Sequence, residues 1–137
     1  MKDHDLLVRI QAVAVNPVDY KIRNGTAGSH ENPNIFGWDA SGVVERIGSK
    51  VTLFSPGDSV FYAGDIRRSG TNAEVHAVDE RIVGRAPRCL SPVQAAALPL
   101  TSITAWESLF DRLNIQADKS PSKILIIGSP CHCDCLA

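Results

Sequence analysis

Phe36-Gly37-Trp38-Asp39-Ala40-Ser41-Gly42-Val43-Val44-Glu45 is the stretch on which the fold turns. Two glycines bracket a run of small residues and lead directly into an apolar segment. Glycine has no Cβ, so Gly37 and Gly42 mark places where the backbone bends or comes very close to another segment or a ligand. Ala40 and Ser41 keep the surface between them low. Val43, Val44 and Ile47 then supply a strand, closed at Gly48-Ser49-Lys50.

Upstream, residues 6–15 carry Leu7, Ile10, Val13 and Val15 in a β-favouring run. The alternation is imperfect, which predicts a strand partly covered on both faces. Asn16-Pro17 stops it, because proline has no N–H to give to a ladder. Residues 18–23 make a short helical turn ending at Asn24-Gly25, and residues 26–34 read as a polar loop. Downstream, Ser55-Pro56-Gly57-Asp58 is a turn, with Asp58, like Asp19 earlier, a structural turn residue. Residues 59–62 form another short strand and residues 63–71 a polar loop. Residues 72–78 alternate again, with Ala73, Val75 and Ala77 on one face, and residues 82–86 are one more extended piece.

At Pro87 the pattern changes. Ser91-Pro92-Val93-Gln94 places serine at a helix N-cap, proline at the first helical position and glutamine at the third, which is a capping box. That helix runs over residues 92–98 and is cut short by Pro99. A second helix follows from Leu100 or Thr101 to Leu113, with Ile103, Trp106, Leu109, Phe110 and Leu113 on one face. Residues 123–127 are wholly apolar after Lys123 and end on Gly128, the pattern of a strand buried on both faces of a parallel sheet.

Composition narrows the function classes. A formal net charge of −1 gives no electrostatic footprint for nucleic acid or an anionic membrane. No apolar run approaches the length of a membrane span and no charged-then-apolar leader opens the chain, so a cytoplasmic protein is expected. Of four cysteines, three crowd Cys131-His132-Cys133-Asp134-Cys135, which is not a disulfide framework.

Several separated motifs together resemble the medium-chain dehydrogenase/reductase superfamily, in its quinone oxidoreductase or zinc-type alcohol dehydrogenase-like branch. They are Asn16-Pro17-Val18-Asp19-Tyr20-Lys21, the glycine stretch itself, Pro56-Gly57-Asp58-Ser59-Val60, Ala95-Ala96-Ala97-Leu98-Pro99-Leu100-Thr101 and Thr104-Ala105-Trp106-Glu107-Ser108-Leu109. The resemblance implies a mainly β fold with helices. A GroES-like β-barrel catalytic domain would occupy residues 1–90, and linking helices with the first strand of an incomplete Rossmann domain residues 91–128. Residues 129–137 form an atypical Cys/His tail. It further implies NADPH as cofactor and a quinone, enone or carbonyl compound as substrate, with homodimers among full-length relatives. Asn16, Lys21 and Tyr20 would be catalytic; Asn16, Lys21 and Thr104 would hold the nicotinamide end of the cofactor. Trp38 would shape the floor of the substrate cleft.

The same resemblance speaks about zinc. Zinc-dependent members carry a cysteine after the first strand and a histidine-glutamate pair in the glycine stretch, donors of the type zinc prefers. Here those places hold Asn16-Pro17-Val18-Asp19 and Trp38-Asp39, and no cysteine stands between Tyr62 and Val78. No metal is expected in the body of the chain. Without a Lewis acid, reduction of quinones or activated double bonds is the better-suited chemistry. After Gly128 the Gly-x-Gly-x-x-Gly cradle of a dinucleotide site does not follow, which reads as a truncated or frameshifted sequence. Three expectations then stand: a catalytic-domain fragment of a zinc-independent oxidoreductase, a GroES-like remnant that binds no cofactor, or a zinc-dependent alcohol dehydrogenase-like relative.

Overall fold

A computed structural model describes residues 1–25, 35–115 and 123–126. It divides into two compact units, Met1–Ala105 and Trp106–Ala137. The first unit is built on one antiparallel sheet. Its strands are β1 (Asp5–Ala14), β2 (Asp39–Ile47), β3 (Ser59–Ala63), β4 (Val75–Asp79) and β5 (Val83–Arg85), in the spatial order β4-β1-β2-β3-β5. Helix α1 (Pro17–Arg23) follows β1, a 3₁₀ turn (Glu80–Ile82) joins β4 to β5, and α2 (Pro92–Ala96) and α3 (Pro99–Trp106) follow the sheet.

The glycine stretch makes β2 the neighbour of both β1 and β3. Gly42 faces Ile10 across the β1–β2 ladder, and the Arg9 carbonyl and Val8 side chain occupy the space a Cβ would take. Gly37 has φ +91° and is crowded by Thr71 and Asn72. Both sequence readings of these glycines hold: one is a close approach, the other a bend. Backbone bonds from Gly70, Thr71 and Asn72 N–H to the carbonyls of Ile35, Gly37 and Phe36 fasten the bend in place.

Leu6, Val8, Ala40, Val44, Phe54, Val60, Tyr62 and Val78 form the core. Each fully buried aliphatic side chain contributes about 1.5–3 kcal/mol, so β1 to β4, which carry all of these residues but Phe54, hold the unit together. Helix α2 begins as the sequence predicts. Gln94 Oε1 accepts the Ser91 N–H at 3.0 Å, and the Ser41 hydroxyl of β2 donates to the Pro92 carbonyl at 2.7 Å.

Two expectations change, while the alternation of β4 holds: His76 and Val78 share the buried face and Val75 is exposed on the other. Pairing Val8 with His76 and Leu6 with Val78 sets that register, and the histidine is tolerated inside because both ring nitrogens are bonded. The second predicted helix is α3 only as far as Trp106; Glu107–Arg112 winds as a π-helix, with the Leu113 N–H donating to Ser108. Residues 123–126 are not a strand, and Leu125 and Ile126 are exposed. An apolar run forms a buried strand only where neighbouring strands pair with it, and none does so here among the described residues. The predicted loop 26–34 and the Cys131–Cys135 tail lie outside the described residues.

The two tryptophans differ sharply: Trp38 is 2% exposed and Trp106 63% exposed. Trp106→Phe is therefore expected to leave a blue-shifted emission that acrylamide barely quenches. Trp38→Phe should leave a red-shifted, readily quenched one. Equal quenching in the two variants would contradict this placement.

Candidate functional site

The first unit brings three distant pieces of sequence to one point, the side chain of Asp39. Asp39 opens β2 directly after the Gly37 bend and is fully buried. Its Oδ2 accepts the Asn16 side-chain N–H at 2.8 Å, and its Oδ1 accepts the Leu100 backbone N–H at 3.0 Å. Burial raises the Asp39 carboxyl above its usual range, and the nearby Asp19 charge adds to that. The Asn16 and Leu100 donors pull the other way.

Asn16 precedes α1, where Pro17 takes the first helical position and Asp19 accepts the Asn16 N–H at 2.7 Å. Asp19 is thus the turn residue the sequence predicts, and Asp58 is another, accepting the Ser55 N–H at 2.9 Å. Tyr20 and Lys21 are exposed on α1 beyond Asn16. On the other side of Asp39, the Leu100 carbonyl accepts the Thr104 hydroxyl at 2.9 Å, and Thr104 is exposed on α3. Hydrogen bonds therefore join Asn16 to Thr104 through Asp39 and Leu100. Tyr20 and Lys21 share the short helix that Asn16 starts.

The Trp38 ring, expected at the cleft floor, is buried and meets Phe36 edge-to-face at 6.3 Å. An open groove of about 610 Å³ runs past Gly64, Arg68, His76, Leu100 and Ile103, and Trp38 stands one layer behind Gly64. The Trp38 Nε1 is buried with no hydrogen-bond partner.

The sequence reading passed over a second polar cluster beside this groove. His76 Nε2 donates to the Ser69 carbonyl at 2.8 Å, which leaves Nδ1 to accept from the Tyr62 hydroxyl at 3.0 Å. Burial lowers the His76 pKa, keeping the ring neutral, and raises that of Tyr62. Arg68 forks onto both oxygens of the buried Asp5, at 2.9 and 2.8 Å. None of these four was legible as a partner of another, because the contacts span the sheet.

Among the described residues no group of three or more His, Cys, Asp or Glu side chains could hold a metal ion. Asp39 has both oxygens engaged by N–H donors, and Trp38 offers no lone pair. The donors gathered here do not fit the tetrahedral nitrogen and sulfur set that zinc takes.

Residues 2–91 match the alcohol dehydrogenase GroES-like domain. The chain belongs to that family. It is 45% identical over 128 residues to a zinc-type alcohol dehydrogenase-like protein of Staphylococcus epidermidis, covering 91% of this chain and 38% of the relative. It is 38% identical to the 2-methylene-furan-3-one reductase of Solanum lycopersicum, over 93% of this chain and 34% of that enzyme. The fold matches the quinone oxidoreductase of Escherichia coli, solved in complex with NADPH. That match has a TM-score of 0.70 and 28% identity, over 79% of this chain and 32% of that one. The chain spans about a third of the length of these relatives. Among the described residues no helix is long and apolar enough to cross a membrane.

Proposed function

We propose that this GroES-like domain is the substrate-side half of a zinc-independent, NAD(P)H-dependent oxidoreductase that reduces quinones or activated double bonds. The observation that carries the reading is the Asp39 centre. Where zinc-type members place histidine and glutamate, this domain has a buried indole and a carboxylate already bonded to Asn16 and Leu100. The named relatives support the chemistry, one a reductase and one a quinone oxidoreductase that binds NADPH.

A bound reduced nicotinamide supplies the hydride. Asn16, held by Asp39, would offer its amide to the nicotinamide riboside. By the family likeness, the Lys21 ammonium on α1 and the Thr104 hydroxyl on α3 would hold the same end of the cofactor. The phenol of Tyr20, 67% exposed, is the group available to hydrogen-bond the oxygen of a quinone or enone. With no Lewis acid to polarise that oxygen, substrates whose double bond is already activated are favoured.

In a full-length enzyme carrying this domain, NADPH consumption with a quinone or an enone is expected to survive exhaustive dialysis against a zinc chelator. Loss of that activity on chelation, with recovery on adding zinc, would overturn the zinc-free reading. A second reading concerns the 137-residue chain by itself, which contains no Gly-x-Gly-x-x-Gly cradle. Without backbone amides for the pyrophosphate, the isolated domain binds no cofactor. Calorimetry with NADPH is expected to show no saturable binding at micromolar concentrations, and a clear isotherm would refute it.

A further inference from the structure

We propose that Asp39 is a positioning residue. It fixes the Asn16 amide and the first turn of α3 to the start of β2, so that Asn16 and Thr104 present their polar groups at one set separation. The inference rests on the reading of Asn16 and Thr104 as cofactor-side residues.

The geometry leaves Asp39 one role at each oxygen. Both partners are N–H donors, 2.8 and 3.0 Å away, so both oxygens must accept. Leu100 is the second residue of α3, and its N–H is one of the amides a helix start leaves without an internal partner. A carboxylate there also complements the positive end of the helix dipole. Proline at position 99 gives no N–H, and Asp39 serves the next amide from a strand 61 residues earlier in sequence. The Leu100 peptide then continues the link, since its carbonyl takes the Thr104 hydroxyl at 2.9 Å.

On the Asn16 side, Asp39 determines which end of the amide faces which way. An ionised carboxylate accepts only, so it selects the NH₂ end of Asn16 and directs the carbonyl oxygen elsewhere. Asparagine at position 39 would keep the shape but replace one acceptor by a donor. If Oδ1 still serves Leu100, Asn16 must flip its amide, and its outward-facing atom changes from oxygen to NH₂. Position 39 thus sets both the polarity Asn16 shows and the anchor of the helix that carries Thr104.

The test has two arms. In the 137-residue chain labelled with ¹⁵N, Asp39→Asn is expected to shift the Asn16 side-chain amide signals. With one acceptor oxygen left for two N–H donors, the Leu100 N–H loses its partner part of the time, and its exchange should speed at least tenfold relative to the Val8 and Val44 amides of the sheet. If Asp39→Asn fails to fold, the exchange variant Asn16→Asp/Asp39→Asn carries this arm. That variant restores an acceptor facing a donor and should return Leu100 protection. Unchanged Asn16 signals and unchanged Leu100 exchange would overturn the proposal.

In a full-length enzyme carrying this domain, Asp39→Asn is expected to raise the KM for NADPH about tenfold while kcat falls less than threefold, the size of one hydrogen bond misplaced on a bound ligand. A changed spectrum with an unchanged KM would reduce Asp39 to a structural brace and overturn the positioning role. If the unsubstituted enzyme consumes no NADPH, the proposed activity fails, and the NMR arm still decides whether Asp39 joins the two elements.

Discussion

Gly42→Ala is expected to destabilise the first unit by about 3 kcal/mol or more. The added Cβ would lie against the Arg9 carbonyl oxygen and carbon of β1 and 2.8 Å from the Val8 Cγ1. A clash with a flexible side chain is relieved by rotation; this one is with the backbone of the adjacent strand. Gly42 faces Ile10, in the middle of the β1–β2 ladder, which is the centre of the five-stranded sheet. Relief requires separating the two strands that carry Leu6, Val8, Ala40 and Val44. Overpacking in a well-filled core costs about 1–3 kcal/mol when it can be absorbed, and a backbone clash at the sheet centre belongs at or beyond the top of that range. Domains of this size have about 5–15 kcal/mol in total. Urea unfolding followed by circular dichroism should show a collapse of the midpoint or no cooperative transition. Val13→Ala, at a 40% exposed position of β1, should stay within about 1 kcal/mol of the parent. A Gly42→Ala protein with an unmoved midpoint would contradict the described β1–β2 packing.

Local chemistry made much of this fold legible. Pro17 ends β1 and opens α1, Ser91 and Gln94 start α2, and the two glycines in the central stretch behave as their lack of a Cβ requires. What stayed hidden depends on which distant residue stands opposite. Alternation groups Ala73, Val75 and Ala77 on one face without saying which face is buried. The actual face is set by pairing with β1 and by the Tyr62 and Ser69 partners that make a buried imidazole tolerable. A lone Asp39 carboxylate cannot make a zinc site, and nothing beside it in the sequence assigns it another role. Its two bonds, to Asn16 and Leu100, cross 23 and 61 residues and leave no local signature. Trp38 illustrates the converse. A large aromatic beside a predicted cleft invites a substrate role, yet its ring lies buried behind Gly64.

Arg68→Met is expected to destabilise the first unit by about 3 kcal/mol, the cost of leaving a buried charge without its partner. Asp5 is 1% exposed, and its carboxylate takes both arms of the Arg68 guanidinium together with the Lys2 backbone N–H at 2.6 Å. Methionine preserves most of the stem volume and removes only the charge and the donors. Arg67→Met is the control, because that guanidinium is 79% exposed to solvent in its pair with Asp65 and should be worth under about 1 kcal/mol. The pH dependence separates the two causes of acid sensitivity. Arg68 holds the Asp5 carboxyl below its ordinary range. That stabilisation is complete above the unfolded carboxylate pKa of about 4 and is lost as pH falls through the lower folded value. Buried His76 has its pKa lowered, so acid favours the unfolded state from about pH 6.5 downward, where only the unfolded imidazole takes up a proton. Arg68→Met should therefore flatten the loss of stability below pH 4 and keep the slope between about pH 6.5 and 5. Adding Asp5→Asn to Arg68→Met should recover part of the loss at pH 7, since the stranded charge is gone. If Arg68→Met and Arg67→Met unfold at the same urea concentration, the Asp5–Arg68 pair is solvated rather than buried, and the account of this edge of the sheet is wrong.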